Sequence, residues 1–183
     1  MTWKNDQVSE KETERILELA RECLAVSGDY VEMGCYKGDT SLILAEVLRG
    51  SSKRLWIYDS FEGLPEKRDE DKSVLGVLFR GGELAVTKRE VKQRFLKSGL
   101  PVPVIKKAWF SNLKDDDMPE LIAFAFLDGD FYESIKDSLK LVGPRMAKGG
   151  VIVVHDYNNL ALPGVKKAVD EWGGRDNVKL ILL

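Results

Sequence analysis

A disulfide framework and a cysteine-based zinc site are both closed to this sequence. Its two cysteines, Cys23 and Cys35, have neither a CxxC partner nor a zinc-type spacing, and both read as buried free thiols. A basic stripe is missing as well. Lysines and arginines are interspersed with acids and the formal net charge is only -2, so nucleic acid is not an expected partner. No apolar run approaches the roughly 20 residues that cross a bilayer. The opening Met1-Thr2-Trp3-Lys4-Asn5-Asp6 has no apolar secretory core, which makes a cytoplasmic location without membrane attachment the expectation. Repeats and composition breaks are lacking too, so residues 1–183 read as one domain. Hydrophobic residues at 44% and charged residues at 32% fit an ordinary packed core.

What the chain does have is a set of short apolar runs that stop at acids. Leu55 to Tyr58 meets Asp59, Ile122 to Leu127 meets Asp128 and, across Gly129, Asp130, and Val151 to Val154 meets His155-Asp156. Such runs read as buried parallel strands, whose carboxyl ends form the ligand crevice of an open sheet. Between them, helical spacing predicts helices over 7–27, ended by Gly28, and from a cap at Asp39 or Thr40 through Leu48. Further helices are predicted over 87–97, 131–146 and 163–172, with strands over 30–33, 54–58, 101–106, 120–127, 150–154 and 178–183. The alternation predicts a Rossmann-like, doubly wound α/β fold with a mainly parallel sheet and helices on both faces. The polar stretch from Asp59 to about Glu83 reads as a mobile or functional loop.

Glu32-Met33-Gly34-Cys35-Tyr36-Lys37-Gly38 is a strand entering a glycine turn that opens a helix. Glycine lets backbone approach a ligand closely, and the helix start offers free N–H groups. The spacing E-x-G-x-x-x-G departs from the dinucleotide fingerprint, which disfavours a nicotinamide-dependent oxidoreductase. An acid two residues before the first glycine suits a cationic ligand group instead. Asp59, ending the second strand, can accept both hydroxyls of an adenosine ribose. Glu32, the glycine turn and Asp59 together resemble the S-adenosylmethionine site of class I methyltransferases.

Further along, Asp59-Ser60-Phe61-Glu62-Gly63-Leu64-Pro65, Ala108-Trp109-Phe110, Leu127-Asp128-Gly129-Asp130-Phe131-Tyr132-Glu133-Ser134 and His155-Asp156-Tyr157 follow one another. In that order they resemble the macrocin O-methyltransferase family, from about Gly28 to Trp172. The resemblance implies an S-adenosylmethionine-dependent O-methyltransferase acting on a hydroxyl of a sugar or related diol. It implies cofactor contacts from Glu32, Gly34, Tyr36, Gly38, Ser41, Asp59, Ser60, Trp109 and Asp128, with Trp109 near the adenine or simply buried. It also implies a divalent metal, magnesium or manganese, at Asp128 and the pair His155-Asp156, with Asp130 as general base.

His155, the single histidine of the chain, stands where the family usually has an aspartate. Magnesium prefers oxygen ligands whereas imidazole suits zinc, manganese or iron, so either the metal preference shifts or His155 points away and ligates nothing. Asp130 has a rival role as N-cap of the following helix. Asp115-Asp116-Asp117 reads as a solvated acidic run or helix cap rather than a metal site. Relative to the family, the N-terminal segment and the C-terminal antiparallel hairpin read as shortened. That predicts an open acceptor site or one completed in a homodimer. The rival from another class is an adenosyl-binding regulatory protein that has lost catalysis.

Overall fold

A computed structural model describes residues 5–76, 79–174 and 178–183. Residues 1–4 of the N-terminal segment and 77–78 of the long polar stretch lie outside the described residues. The chain runs α1 (Glu10–Glu22), β1 (Asp29–Met33), α2 (Asp39–Val47), β2 (Leu55–Asp59), α3 (Lys88–Ser98), β3 (Val104–Lys107), β4 (Ile122–Leu127), α4 (Tyr132–Val142), β5 (Met146–Val154), α5 (Pro163–Trp172) and β6 (Lys179–Leu182). The strands form one sheet in the order β3-β2-β1-β4-β5-β6, and every neighbouring pair is parallel.

Alternate side chains of a strand point to opposite faces, and here both faces are covered. Tyr30, Phe124, Phe126 and Val153 pack with Ile16 and Leu19 of α1, Leu42 of α2 and Phe95 of α3. Val31, Ala125, Leu127 and Ile152 pack on the other side with Ile135 and Leu139 of α4 and Val165 and Ala168 of α5. The doubly wound reading therefore holds. Burial on both faces explains why β4 is apolar throughout, with all six of its residues buried.

Several local expectations are corrected. The first helix ends at Glu22 rather than at Gly28, followed by a short helical turn over Cys23–Ala25. Gly28 serves a different need: a Cβ there would lie 2.7 Å from the Leu121 carbonyl oxygen. Neither Asp39 nor Thr40 caps α2; Gly38 holds that position at φ 82 with no side-chain cap. α4 is capped at Phe131, not Asp130, and it ends at Val142. β5 begins four residues before Gly150, at Met146, because Met146 pairs with Ile122 of β4. In the polar stretch, Asp71 is buried and bound to the start of α4, and Lys167 pairs with Glu70 at 3.1 Å, so that part is pinned rather than mobile. Asp115–Asp117 forms a short helical turn whose acids pair with Lys106 and Arg145, away from the strand ends of the crevice.

Candidate active site

The sheet order reverses between β1 and β4, the place where an open α/β sheet presents its crevice. Register then aligns the chemistry. Met33 pairs with Tyr58 on one side and Leu127 on the other, and Leu127 pairs with Val154. The next residue of each strand extends the row: Gly34 N–H donates to Tyr58 O at 2.9 Å, Asp128 N–H to Met33 O at 2.9 Å, and His155 N–H to Leu127 O at 3.0 Å. Asp59, Gly34, Asp128 and His155 thus stand side by side along one rim. Gly34 is obligatory there, since a Cβ would sit 2.0 Å from the Asp128 carbonyl oxygen.

Above this rim is a cavity of about 250 Å³. Nine of the residues singled out in the sequence line it: Gly34, Tyr36, Asp59, Ser60, Trp109, Asp128, Asp130, His155 and Asp156. The other three, Glu32, Gly38 and Ser41, do not line it. Sequence reasoning missed Gln7, Ser134 and Asn159, which also line it. Ser134 was within reach, being part of the quoted Asp128–Ser134 motif, whereas Gln7 and Asn159 carry no pattern of their own.

Asp59 braces the glycine turn. One carboxylate oxygen accepts from the backbone N–H of Cys35 at 2.9 Å and of Tyr36 at 3.2 Å, the other from Phe61 N–H at 2.7 Å. The first oxygen has both lone-pair positions filled, and the second keeps one for a ligand hydroxyl. Glu32 is fully buried, and the Ser41 hydroxyl donates to its Oε2 while Oε1 has no partner. Burial is the main reason its carboxyl is pushed up to about 8, with Asp128 and Asp59 adding to the rise.

Strain gathers at the cavity. Among the described residues the non-glycine positions with positive φ are Tyr36, Phe61, Leu84, Asp130 and Asp156. Tyr36, Leu84, Asp130 and Asp156 line the cavity, and Phe61 follows Ser60, which does too. Left-handed backbone costs L-residues of order 1–3 kcal/mol each and persists where surroundings over-determine it. At Asp130 and Asp156 it turns carboxylates back over the strand ends.

Burial, followed by the neighbouring Asp128 and Asp156 carboxylates, holds the Asp130 carboxyl well above the usual range. His155 Nδ1 lies 3.1 Å from Asp128 Oδ1 and 3.0 Å from Asp156 Oδ2. Burial pulls the imidazole pKa down, but these two carboxylates together override it and push it up to about 11. For Asp156, burial is again opposed, here by the hydrogen bonds from His155 and from Asn159 Nδ2 at 2.8 Å, and the carboxyl is lowered.

His155 therefore does not point away from the acids. Ligand atoms of Asp128, His155 and Asp156 lie within 4.8 Å of one another. Nδ1 and the two oxygens are at hydrogen-bond distance here, and with the imidazole deprotonated the same nitrogen and carboxylate donors suit a divalent cation. A rim with four carboxylates and one imidazole also suits a cationic organic ligand.

Comparison with known proteins agrees with this arrangement. Residues 11–182 match the family described as Macrocin-O-methyltransferase (TylF). The 8-demethyl-8-(2,3-dimethoxy-alpha-L-rhamnosyl)-tetracenomycin-C 4'-O-methyltransferase of Streptomyces olivaceus is 33% identical over 82% of this chain and 59% of its own length. The demethyldecarbamoylnovobiocin O-methyltransferase of Streptomyces niveus is 29% identical over 88% of this chain. The chain thus spans 59% and 66% of these two curated relatives. The solved structure of the O-methyltransferase NovP superposes with a TM-score of 0.75 at 30% identity, covering 85% of this chain and 69% of that one. Strand order, site residues and a match along nearly the whole sequence converge, and the chain belongs to the macrocin O-methyltransferase family.

Proposed function

We propose that this chain binds S-adenosylmethionine and transfers its methyl group to a hydroxyl of a sugar or related diol, with a divalent cation at Asp128, His155 and Asp156. The observation that carries this reading is the row formed by Asp59, Gly34, Asp128 and His155, with Asp130 and Asp156 folded over it. The tetracenomycin and novobiocin enzymes named above, 33% and 29% identical to this chain, support the O-methylation of a small acceptor.

In this reading Asp59 accepts from a ribose hydroxyl at its one remaining lone-pair position and Trp109 lies against the adenine. The Gly34–Tyr36 turn receives the methionine end. Glu32 and Ser41 act from below, fixing the turn and the start of α2. S-adenosylmethionine supplies an electrophilic methyl carbon on a sulfonium sulfur. A cation supplies a lowered pKa for the acceptor hydroxyl. Asp130 is the proton acceptor: as the oxygen–carbon bond forms and the carbon–sulfur bond breaks, the hydroxyl proton passes to its carboxylate. The rigid rim holds oxygen, carbon and sulfur in line.

Replacing Asp130 with Asn tests the assignment, since Asn tolerates the left-handed backbone that Asp130 adopts at φ 60. Turnover should fall by roughly 100-fold or more, while calorimetry finds S-adenosylmethionine affinity unchanged. Equal loss of both would remove Asp130 from the chemistry. The departure at His155 is the one observation favouring a non-catalytic adenosyl-binding protein. Cofactor binding with no turnover of any sugar acceptor under any divalent cation would favour that reading.

A further inference from the structure

We infer that Gln7, in the segment ahead of α1, is a cofactor-binding residue whose carboxamide donates to the carboxylate at the methionine end of S-adenosylmethionine. This rests on the cofactor assignment proposed above. Gln7 lines the same cavity as Gly34, Cys35 and Tyr36, the turn assigned to that end of the ligand. Asn5 pins the segment in place. Its Oδ1 accepts from the backbone N–H of Gln7 and of Val8, both at 3.0 Å, and its Nδ2 donates to Thr40 Oγ1 at 3.0 Å in the first turn of α2. Asp6 Oδ2 lies 3.7 Å from Lys37 Nζ, within the turn, and Val8 is buried in the core. The backbone is thus fixed on both sides of Gln7, whereas its side chain is not: Nε2 has only the Asp6 carbonyl, at 3.5 Å.

S-adenosylmethionine is a cation at sulfur and a zwitterion at its amino-acid end. Acids to face its two positive groups abound on the rim, but donors for its carboxylate are scarce. Among the described residues no lysine or arginine lines the cavity, and His155 turns Nδ1 to Asp128 and Asp156. The glycine turn has already committed its N–H groups: Gly34 to Tyr58 O at 2.9 Å, Cys35 and Tyr36 to Asp59, and Gly38 to Cys35 O at 2.7 Å. The open N–H groups at the start of α2 stand apart, since none of Gly38 to Ser41 lines the cavity. Of the two carboxamides on the wall, Asn159 is engaged by Asp156 and by the N–H of Ala161. Gln7 remains, with two N–H donors and no formal charge to repel the sulfonium.

Calorimetry with S-adenosylmethionine, S-adenosylhomocysteine and methylthioadenosine, which lacks the amino-acid end, tests this. Gln7→Ala should weaken the first two about tenfold, as expected for losing a hydrogen bond to a charged group, and leave methylthioadenosine as in the wild type. Gln7→Glu, which sets one carboxylate against another, should weaken the first two further and again spare the third. Wild-type affinity for S-adenosylmethionine in both variants overturns the inference. So does an equal loss of all three ligands, which would make Gln7 a support of the cavity rather than a contact to the amino-acid end. A wild type that binds none of the three overturns the cofactor assignment itself, and this inference with it.

Discussion

Asp71 and Tyr132, 61 residues apart in the chain, meet at the start of α4, where the backbone N–H of Tyr132 donates to Asp71 Oδ1 at 2.7 Å. Helix starts leave N–H groups without partners, and a side chain near in sequence usually supplies the acceptor. Here the acceptor comes from the polar stretch after β2, and Asp71 Oδ2 also accepts from Arg68 N–H at 2.9 Å. This contact frees Asp130 from capping duty and leaves its carboxylate to the cavity.

The first prediction follows from that contact. Asp71 is 1% exposed, so Asp71→Ala strips a charged acceptor from the buried N–H of Tyr132 and the part-buried N–H of Arg68. Urea unfolding should register a loss of about 2–3 kcal/mol. Gly164→Ala should be destabilising as well, because its Cβ would lie 2.0 Å from Asp71 Oδ1 and 2.9 Å from Tyr132 N. The two changes share one contact, so in a double-mutant cycle the combined loss should fall short of the sum. Simple additivity would mean that Gly164 is not packed against Asp71.

Gly34→Ala should remove the site rather than merely weaken it. The added methyl meets backbone of β4, not a side chain that can swing aside, and φ is 90 at this position. Circular dichroism and calorimetry would be expected to find either no folded protein or a folded protein without S-adenosylmethionine binding. Wild-type affinity would contradict the close approach of Gly34 and Asp128.

Glu32 gives stability a pH dependence. Burial raises its carboxyl from 4.5 to about 8 in the folded protein. Between those values the folded state keeps a proton that the unfolded state has lost, so this contribution falls as pH rises, and it levels off above about 8. The full span is of order 5 kcal/mol. Glu32→Gln retains an acceptor for the Ser41 hydroxyl and removes the titration. Its unfolding free energy should decline less steeply than that of the wild type from mildly acidic to mildly alkaline pH, the remaining slope coming from groups such as Asp130 and His155. Parallel profiles would mean that Glu32 ionises in the folded protein much as it does in the unfolded chain.

His155→Asp restores the carboxylate pair that the family pattern carries. Magnesium affinity should rise by roughly tenfold relative to manganese, because an imidazole nitrogen gives way to oxygen. Without any cation the same variant should melt at lower temperature, having replaced a positive partner of Asp128 and Asp156 with a third negative charge. Competition of magnesium against manganese reads the first effect and thermal denaturation the second. An unchanged magnesium-to-manganese ratio would remove His155 from the coordinating set.

Much of this architecture was legible in the residues themselves. β4 announces itself because a strand buried on both faces needs an unbroken apolar run, β1 is marked by the glycine turn that follows it, and the acids that end β2, β4 and β5 mark the exit from the core. Parallel pairing then had only one edge on which to gather Asp59, Asp128 and His155. What escaped depends on partners remote in sequence. The acceptor for α4 was unreadable because Asp71 sits in a charged run that resembles any solvated segment. Gly149-Gly150 looks like a stop in sequence, whereas pairing of Met146 with Ile122 carries β5 through them. Gly28 reads as a helix end in sequence although it serves a close approach to Leu121.

The left-handed residues around the cavity set a limit on engineering this protein. Glycine at Tyr36, Leu84, Asp130 or Asp156 would relax the backbone, and a search for heat-resistant variants would be drawn to those positions. Each such gain would delete a side chain from the cavity wall. The positions that offer the easiest hardening are the ones whose hardening would empty the pocket of its function.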